Sequence, residues 1–275
     1  MRKTRFILPN AFTSMNFLLG VFAICWATGV FADFSTKDPF RMSAYFVILC
    51  VLLDKLDGFA ARLVNASSDF GAQFDSLADL IAFGLAPAFG LFFCYKANAP
   101  KEWMADNLIL ILVVFSVYVL CAAMRLAKYN AMDSDAYHTV FSGLPSTFAG
   151  GLNVVVLSYA TSKGLFDTAA TGCTNCLYIP MIIMITSGIL MVSPLFLPKL
   201  QPRKNKLFNS VQIILIIVTY ISGFLFISPT IPYISEYLLI LMGGYIVVGF
   251  GFGLVSRNQI IEEAKKEVKT AETNQ

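Results

Sequence analysis

Charge is scarce in this chain. Asp, Glu, Lys and Arg make up 13% of its 275 residues, about half the share found in soluble domains, and that scarcity excludes a water-soluble globular protein. Histidine is scarcer still: His138 is the only one, and in its polar link it reads as a solvated loop residue despite its useful titration range. A zinc site has no ligand set here, because the one close cysteine pair, Cys173-x-x-Cys176, lacks the second Cys/His pair that would complete four ligands. The pair reads as incidental, with a disulfide or half of a metal site as the alternatives. The basic residues form no stripe or patch, so a net charge of +3 points to acidic lipid headgroups as partners and not to nucleic acid. No internal repeat is visible. The first apolar segment follows Arg2, Lys3 and Arg5 but is too long for a signal peptide and has no small-residue cleavage site.

What is abundant is apolar sequence: 57% of residues are hydrophobic and the mean hydropathy is +0.71. It is spread in segments of about 20 residues, each long enough to cross a hydrocarbon core of roughly 30 Å. The expected architecture is an all-α polytopic membrane protein with about eight transmembrane helices, over windows of about 11–32, 42–64, 73–95, 107–127, 144–161, 176–194, 210–228 and 232–254. Residues 1–256 form one transmembrane domain and 257–275 a charged cytosolic tail. Of the 20 Lys and Arg, fourteen fall on one side of the alternating links and five on the other, which places both termini in the cytosol. Cys25, Cys50, Cys94 and Cys121 lie in apolar segments and act as small hydrophobes. Gly243, Gly244, Gly249, Gly251 and Gly253 are expected to permit close helix packing.

Against this background four aspartates stand out. Asp54 and Asp57 are three apart, Asp75 and Asp79 four apart, and both pairs sit in or beside apolar stretches. A carboxylate at a helix centre in a membrane costs roughly 3 kcal/mol, so the group needs a compensating cation. Isolated acids near helix ends are often caps, and Asp69 is read as one. Four at helical spacing within apolar sequence are read as a site. If the second and third spans pack antiparallel across their short link, the pairs converge. Mutual repulsion then demands divalent metal, and oxygen ligands without histidine or thiolate favour Mg²⁺ or Mn²⁺ with a phosphate-bearing substrate. Arg62 offers a guanidinium fork to phosphate oxygens, and Gly58 lets a diphosphate lie close to the helix.

Written out, the segment is Asp54-x-x-Asp57-Gly58-x-x-Ala61-Arg62, eight residues, then Gly71-x-x-x-Asp75-x-x-x-Asp79. It resembles, at every fixed position, the signature of the CDP-alcohol phosphotransferase family. The resemblance implies a helical bundle in which Asp54, Asp57, Asp75 and Asp79 hold two Mg²⁺ or Mn²⁺ ions and Asp79 is also the general base. It further implies that Gly58, Ala61, Arg62 and Gly71 line the cytidine diphosphate site, with Ser68 touching the nucleotide lipid. Leu8-Pro9-Asn10-Ala11-Phe12-Thr13-Ser14-Met15-Asn16, Arg125-Leu126-Ala127-Lys128-Tyr129-Asn130 and Phe141-Ser142-Gly143-Leu144-Pro145-Ser146 are similar to stretches of the family's membrane-embedded phosphatidylserine-synthesising branch. Asn10 and Thr13 thereby join the CDP-diacylglycerol site.

The implied reaction joins CDP-diacylglycerol to L-serine at the cytosolic face of a membrane, a bacterial inner membrane by resemblance, in a homodimer. A serine pocket needs a cation for the carboxylate and a few acceptors. Arg125, at the cytosolic end of its span, is the leading candidate, and Lys128, Asn130 and Ser142 follow. The same arginine is equally readable as a topology anchor. Glycerol 3-phosphate or inositol phosphate is the alternative acceptor, and a divalent cation transporter the alternative outside enzymes. Arg62 argues against a cation pathway.

Overall fold

The computed structural model describes residues 7–31, 39–64, 69–131, 140–198, 206–226 and 233–255, and nearly all of them are helical. Helix is what an apolar chain in lipid must form, since only internal hydrogen bonding satisfies its backbone there. In chain order come α1 (Ile7–Ala27), α2 (Pro39–Val64) and α3 (Asp69–Asp79), then a wide-turned π segment (Leu80–Leu85) running directly into α4 (Ala86–Asn98). They are followed by α5 (Lys101–Ala131), strand β1 (Val140–Ser142), α6 (Ser146–Ser162), a single turn α7 (Thr168–Thr171) and a 3₁₀ turn (Thr174–Tyr178). The chain continues through α8 (Ile179–Val192), strand β2 (Phe196–Pro198), α9 (Lys206–Leu225) and α10 (Ile234–Val255).

Among the described residues five stretches are long and apolar enough to cross a membrane: Asn10–Ala27, Phe70–Asn98, Lys101–Ala131, Thr174–Val192 and Ile234–Val255. Helix also occupies the other three expected windows, as α2, α6 and α9. Their outer faces show why the bundle suits lipid. Ile109 and Leu120 on α5, Ile217 and Ile221 on α9, and Ile240 and Val247 on α10 are exposed, an apolar surface that water would penalise.

Window edges differ from the helices in instructive places. The expected 107–127 window is a 31-residue helix, Lys101–Ala131, because its polar ends remain helical beyond the apolar core. Asn107 Nδ2 donates to the Trp103 carbonyl at 2.9 Å, and Asn130 Nδ2 to Ser76 Oγ at 2.8 Å. The first window was expected to reach 32, yet α1 stops at Ala27. There the Thr28 hydroxyl donates to the Cys25 carbonyl at 2.6 Å, and Gly29 turns with φ 76°. The two-stranded pairing of β1 with β2, antiparallel with Phe141 opposite Leu197, was not expected.

Two glycines let neighbouring helices close on the π segment. A Cβ on Gly20 of α1 would lie 3.0 Å from the Ala82 Cα, and one on Gly150 of α6 2.8 Å from the Phe83 Cβ. The π segment is thus held between α1 and α6. The glycines of α10 largely depart from the expectation of close packing. A Cβ at Gly243, Gly244 or Gly251 would meet nothing within 4 Å, whereas one at Gly253 would run into the Phe196 carbonyl of β2. Helix α6 is the innermost element: from Ser146 to Ser158 every residue except Phe148 is buried, enclosed by α2, α4, α8 and α10. The expected tail 257–275 and His138 lie outside the described residues.

Candidate active site

Helices α1 and α2 run antiparallel. Ser43 Oγ donates to the Ala23 carbonyl at 2.8 Å near one end, and Cys50 Sγ approaches the Asn16 carbonyl at 3.4 Å near the other. One turn beyond Cys50, α2 presents Asp54. Helix α3 returns beside α1, with Phe17 stacked on Phe74 at 6.3 Å, and presents Asp75 and Asp79 on successive turns. One carboxylate oxygen from each of Asp54, Asp75 and Asp79 lies within 4.8 Å of the others. Asp79 is buried and Asp54 nearly so, with 7% and 15% exposure. Three carboxylates this close in a low dielectric repel strongly unless a cation lies among them. The donor set, oxygen throughout, fits a hard divalent ion.

Cations approach from two sides. Lys55 Nζ stands 3.6 Å from Asp54 Oδ2 on the exposed side. From α5, Arg125 interacts electrostatically with both Asp79 and Asp54, its Nη1 donates to Ser146 Oγ at 2.8 Å, and its guanidinium lies 5.9 Å from the Tyr129 ring. The first turn of α6 completes this side. Ser146 anchors Arg125, and the neighbouring Thr147 side chain hydrogen-bonds Asp54. The positive end of a helix dipole at a carboxylate is itself stabilising.

Ser146 and Thr147 were not singled out from the sequence as site residues, although the signal was present. Pro145 immediately precedes α6 with φ −59°, and hydroxyl residues at a proline-led helix start are placed to meet whatever that start faces. Expectation had fallen on Ser142 instead, which sits in β1 and accepts from Lys128 Nζ at 3.4 Å. Asn130 bonds Ser76 on α3, one residue from Asp75. Arg125 therefore lies within electrostatic reach of Asp79 and Asp54, while Lys128, Asn130 and Ser142 form an outer, more exposed set at the same end.

Of the remaining expected residues, Asn10 is half-buried on α1 and its carbonyl accepts from the Ser14 hydroxyl at 2.7 Å. Thr13 is buried one turn on, and Gly71 is half-buried in the first turn of α3. Asp57, Gly58, Ala61 and Arg62 fall in the last turns of α2, and their side chains lie outside the described residues. Ser68 lies outside them altogether. At the opposite end of the bundle Cys173 and Cys176 are joined in a disulfide, so the pair is not incidental: of the alternatives, the disulfide is the one formed.

The family model for CDP-alcohol phosphatidyltransferase matches residues 6–193, a span that contains every residue of the acidic site. Relatives extend the likeness further. The CDP-diacylglycerol–serine O-phosphatidyltransferase of Helicobacter pylori (strain 26695) is 31% identical over 244 residues, 89% of this chain and 90% of its own. The enzyme of that name from Bacillus subtilis (strain 168) is 32% identical over 165 residues, 60% of this chain and 82% of its own. That from Mycobacterium tuberculosis (strain H37Rv) is 33% identical over 156 residues, 55% of this chain and 48% of its own. With an acidic trio converging where the signature puts it and a family match over most of its length, this chain belongs to the CDP-alcohol phosphatidyltransferase family.

Proposed function

We propose that this protein transfers the phosphatidyl group of CDP-diacylglycerol to L-serine, giving phosphatidylserine and CMP. One observation carries the reading: Asp54, Asp75 and Asp79 converge beside Arg125 in a chain alignable over 89% of its length with a serine phosphatidyltransferase. The serine hydroxyl oxygen attacks the phosphorus that bears the diacylglycerol. The bond from that phosphorus to the bridging oxygen breaks, and CMP leaves with the electron pair. Asp79 accepts the hydroxyl proton. Arg125, braced by Ser146, holds the serine carboxylate and so aims the hydroxyl.

Asp54, Asp57, Asp75 and Asp79 would hold Mg²⁺ or Mn²⁺, two ions by family pattern. Bound there, the metal neutralises diphosphate charge and stabilises the leaving group. Asn10, Thr13, Gly58, Ala61, Arg62, Ser68 and Gly71 form the CDP-diacylglycerol side. Lys128, Asn130 and Ser142 border the serine side. The hydropathy windows and the helices that occupy them support eight spans within a catalytic domain of residues 1–256. The positive-inside bias supports both termini and the site on the cytosolic side, and family resemblance supports a bacterial inner membrane and a homodimer.

The test is CMP release by purified protein given CDP-diacylglycerol, Mg²⁺ or Mn²⁺, and serine, glycerol 3-phosphate or inositol phosphate in turn. Serine-dependent release that stops with EDTA is the expected result. Release with a phosphorylated acceptor alone would replace serine, and metal flux in liposomes without release would overturn the enzyme reading.

A further inference from the structure

Directly after Asp79 the helix widens. Across Leu80–Leu85 the backbone turns as a π-helix, and the Ala86 amide donates to the Ile81 carbonyl, five residues back. One extra residue in a turn rotates everything before it by about 100° relative to everything after, at 3.6 residues per regular turn. Such insertions recur at functional sites. Here the sequence gives a reason for it in Pro87. A regular helix would pair the Phe83 carbonyl with the amide of residue 87, but proline has none, and its ring crowds that carbonyl.

The structure supplies a substitute donor. The Tyr118 hydroxyl on α5 donates to the Phe83 carbonyl at 2.8 Å, with Tyr118 and Phe83 both fully buried. Asn153 on α6 interacts with the same hydroxyl and donates to Ser187 Oγ on α8 at 2.9 Å. Phe83 itself is pressed against Gly150. A hydroxyl from α5 thus holds the carbonyl while α6 packs against the residue that bears it, four residues beyond Asp79. On α5, Tyr118 and Arg125 are seven residues apart, two turns along one face, so one helix holds the wide turn and also places a guanidinium at the carboxylates.

We propose that Tyr118 is a positioning residue for Asp79. By donating to the Phe83 carbonyl, which Pro87 would leave without an amide in a regular helix, it fixes the rotation of the helix that carries Asp75 and Asp79, and so aims them at Asp54. This rests on the reading of the three aspartates as the metal and proton-transfer site.

The test compares Tyr118→Phe, Pro87→Ala and Asp79→Asn in purified protein, reading Mn²⁺ affinity by electron paramagnetic resonance, kcat, the serine KM and the melting temperature. In Y118F the Mn²⁺ Kd rises and kcat falls, each about tenfold, the scale of one lost buried hydrogen bond, while the serine KM holds. P87A restores an amide at 87 and favours a regular turn. It weakens Mn²⁺ binding and kcat in the same way while melting no lower than the parent, which separates aiming from folding even if Y118F proves unstable. If Mn²⁺ affinity and kcat match the parent in P87A, and in Y118F where it folds, the inference is overturned. If D79N binds Mn²⁺ and turns over normally, it is instead the site reading that falls.

Discussion

The two ends of the bundle are built on opposite principles. At one end, α2, α3, α5 and the start of α6 gather three carboxylates, a guanidinium and two hydroxyls into a small buried volume. At the other, neutral hydrogen bonds, an ion pair and stacked aromatic rings stand in place of crowded charge. Tyr95 donates to the Leu177 carbonyl, Tyr178 to Asn107 Oδ1 at 3.2 Å, and Lys163 meets Glu236 at 2.5 Å. Trp103 stacks on Tyr95 at 5.5 Å and meets Tyr178 edge-on at 5.4 Å, and the Cys173–Cys176 disulfide closes the corner. The difference separates two uses of polarity. Like charges crowded together weaken a fold until a ligand arrives, whereas matched pairs and rings strengthen it at all times.

Substitutions can break or sharpen this contrast. The largest effect is expected from Asp79→Asn, which removes the proposed proton acceptor with little change in shape. CMP release should drop by a factor of about 10³ while the melting temperature holds or rises, since one repulsive charge is gone. A melting temperature that collapsed would make Asp79 a structural group like those at the far end. Next comes Arg125→Ala. Losing a charged hydrogen bond of about 1.5–3 kcal/mol should raise the serine KM by roughly ten- to a hundredfold, with the CDP-diacylglycerol KM unchanged and Arg125→Lys recovering only part. Steady-state kinetics in both substrates reads this directly, and equal changes in both would remove Arg125 from the serine side.

Smaller still is Thr147→Val, which takes away a hydrogen bond to Asp54 and keeps the side-chain volume. Partners of metal ligands commonly matter about tenfold or more in metal affinity; about tenfold weaker Mn²⁺ binding is expected, with Thr147→Ser restoring it. The far end supplies the smallest catalytic effect. Cys173→Ser with Cys176→Ser should lower stability by about 2 kcal/mol, the loop-closure scale for so short a ring, and leave kcat and both KM values alone. A change in serine kinetics from that double substitution would mean that the two ends communicate.

How much of this was legible in the sequence depends on what makes a residue costly. Asp54, Asp75 and Asp79 could be read because charge in apolar sequence is expensive wherever it ends up in the fold. Thr147 and Ser146 were missed: Pro145 marks the helix start they belong to, but a hydroxyl is inexpensive almost anywhere and acquires its role only when α6 docks against α2 and α5. Pro87 is visible to any reader as a helix disturbance, but nothing local says that the answering hydroxyl comes from Tyr118, 31 positions away. The ends of α5 were missed for a different reason: hydropathy marks where the membrane would stop, and the helix continues past it. The α10 glycines mislead because small size permits close approach without requiring it: a backbone carbonyl uses the space at Gly253, while nothing comes close to Gly243, Gly244 or Gly251.

The enclosure of α6 has a consequence for how the protein is made. A helix buried along most of its length is free to carry Ser146, Thr147, Asn153 and Ser158 inside the bundle, and so to deliver hydroxyls to the carboxylates. The same composition makes it a reluctant segment when it first leaves the ribosome, with no partner yet to receive its polar groups. Its retention would depend on helices already in place, above all α2 and α4, and on the arrival of α8, whose Ser187 meets Asn153. The helix that completes the site is then also the one whose insertion waits on the others, so a damaged neighbour would be felt first as a failure of assembly and only afterwards as a loss of chemistry.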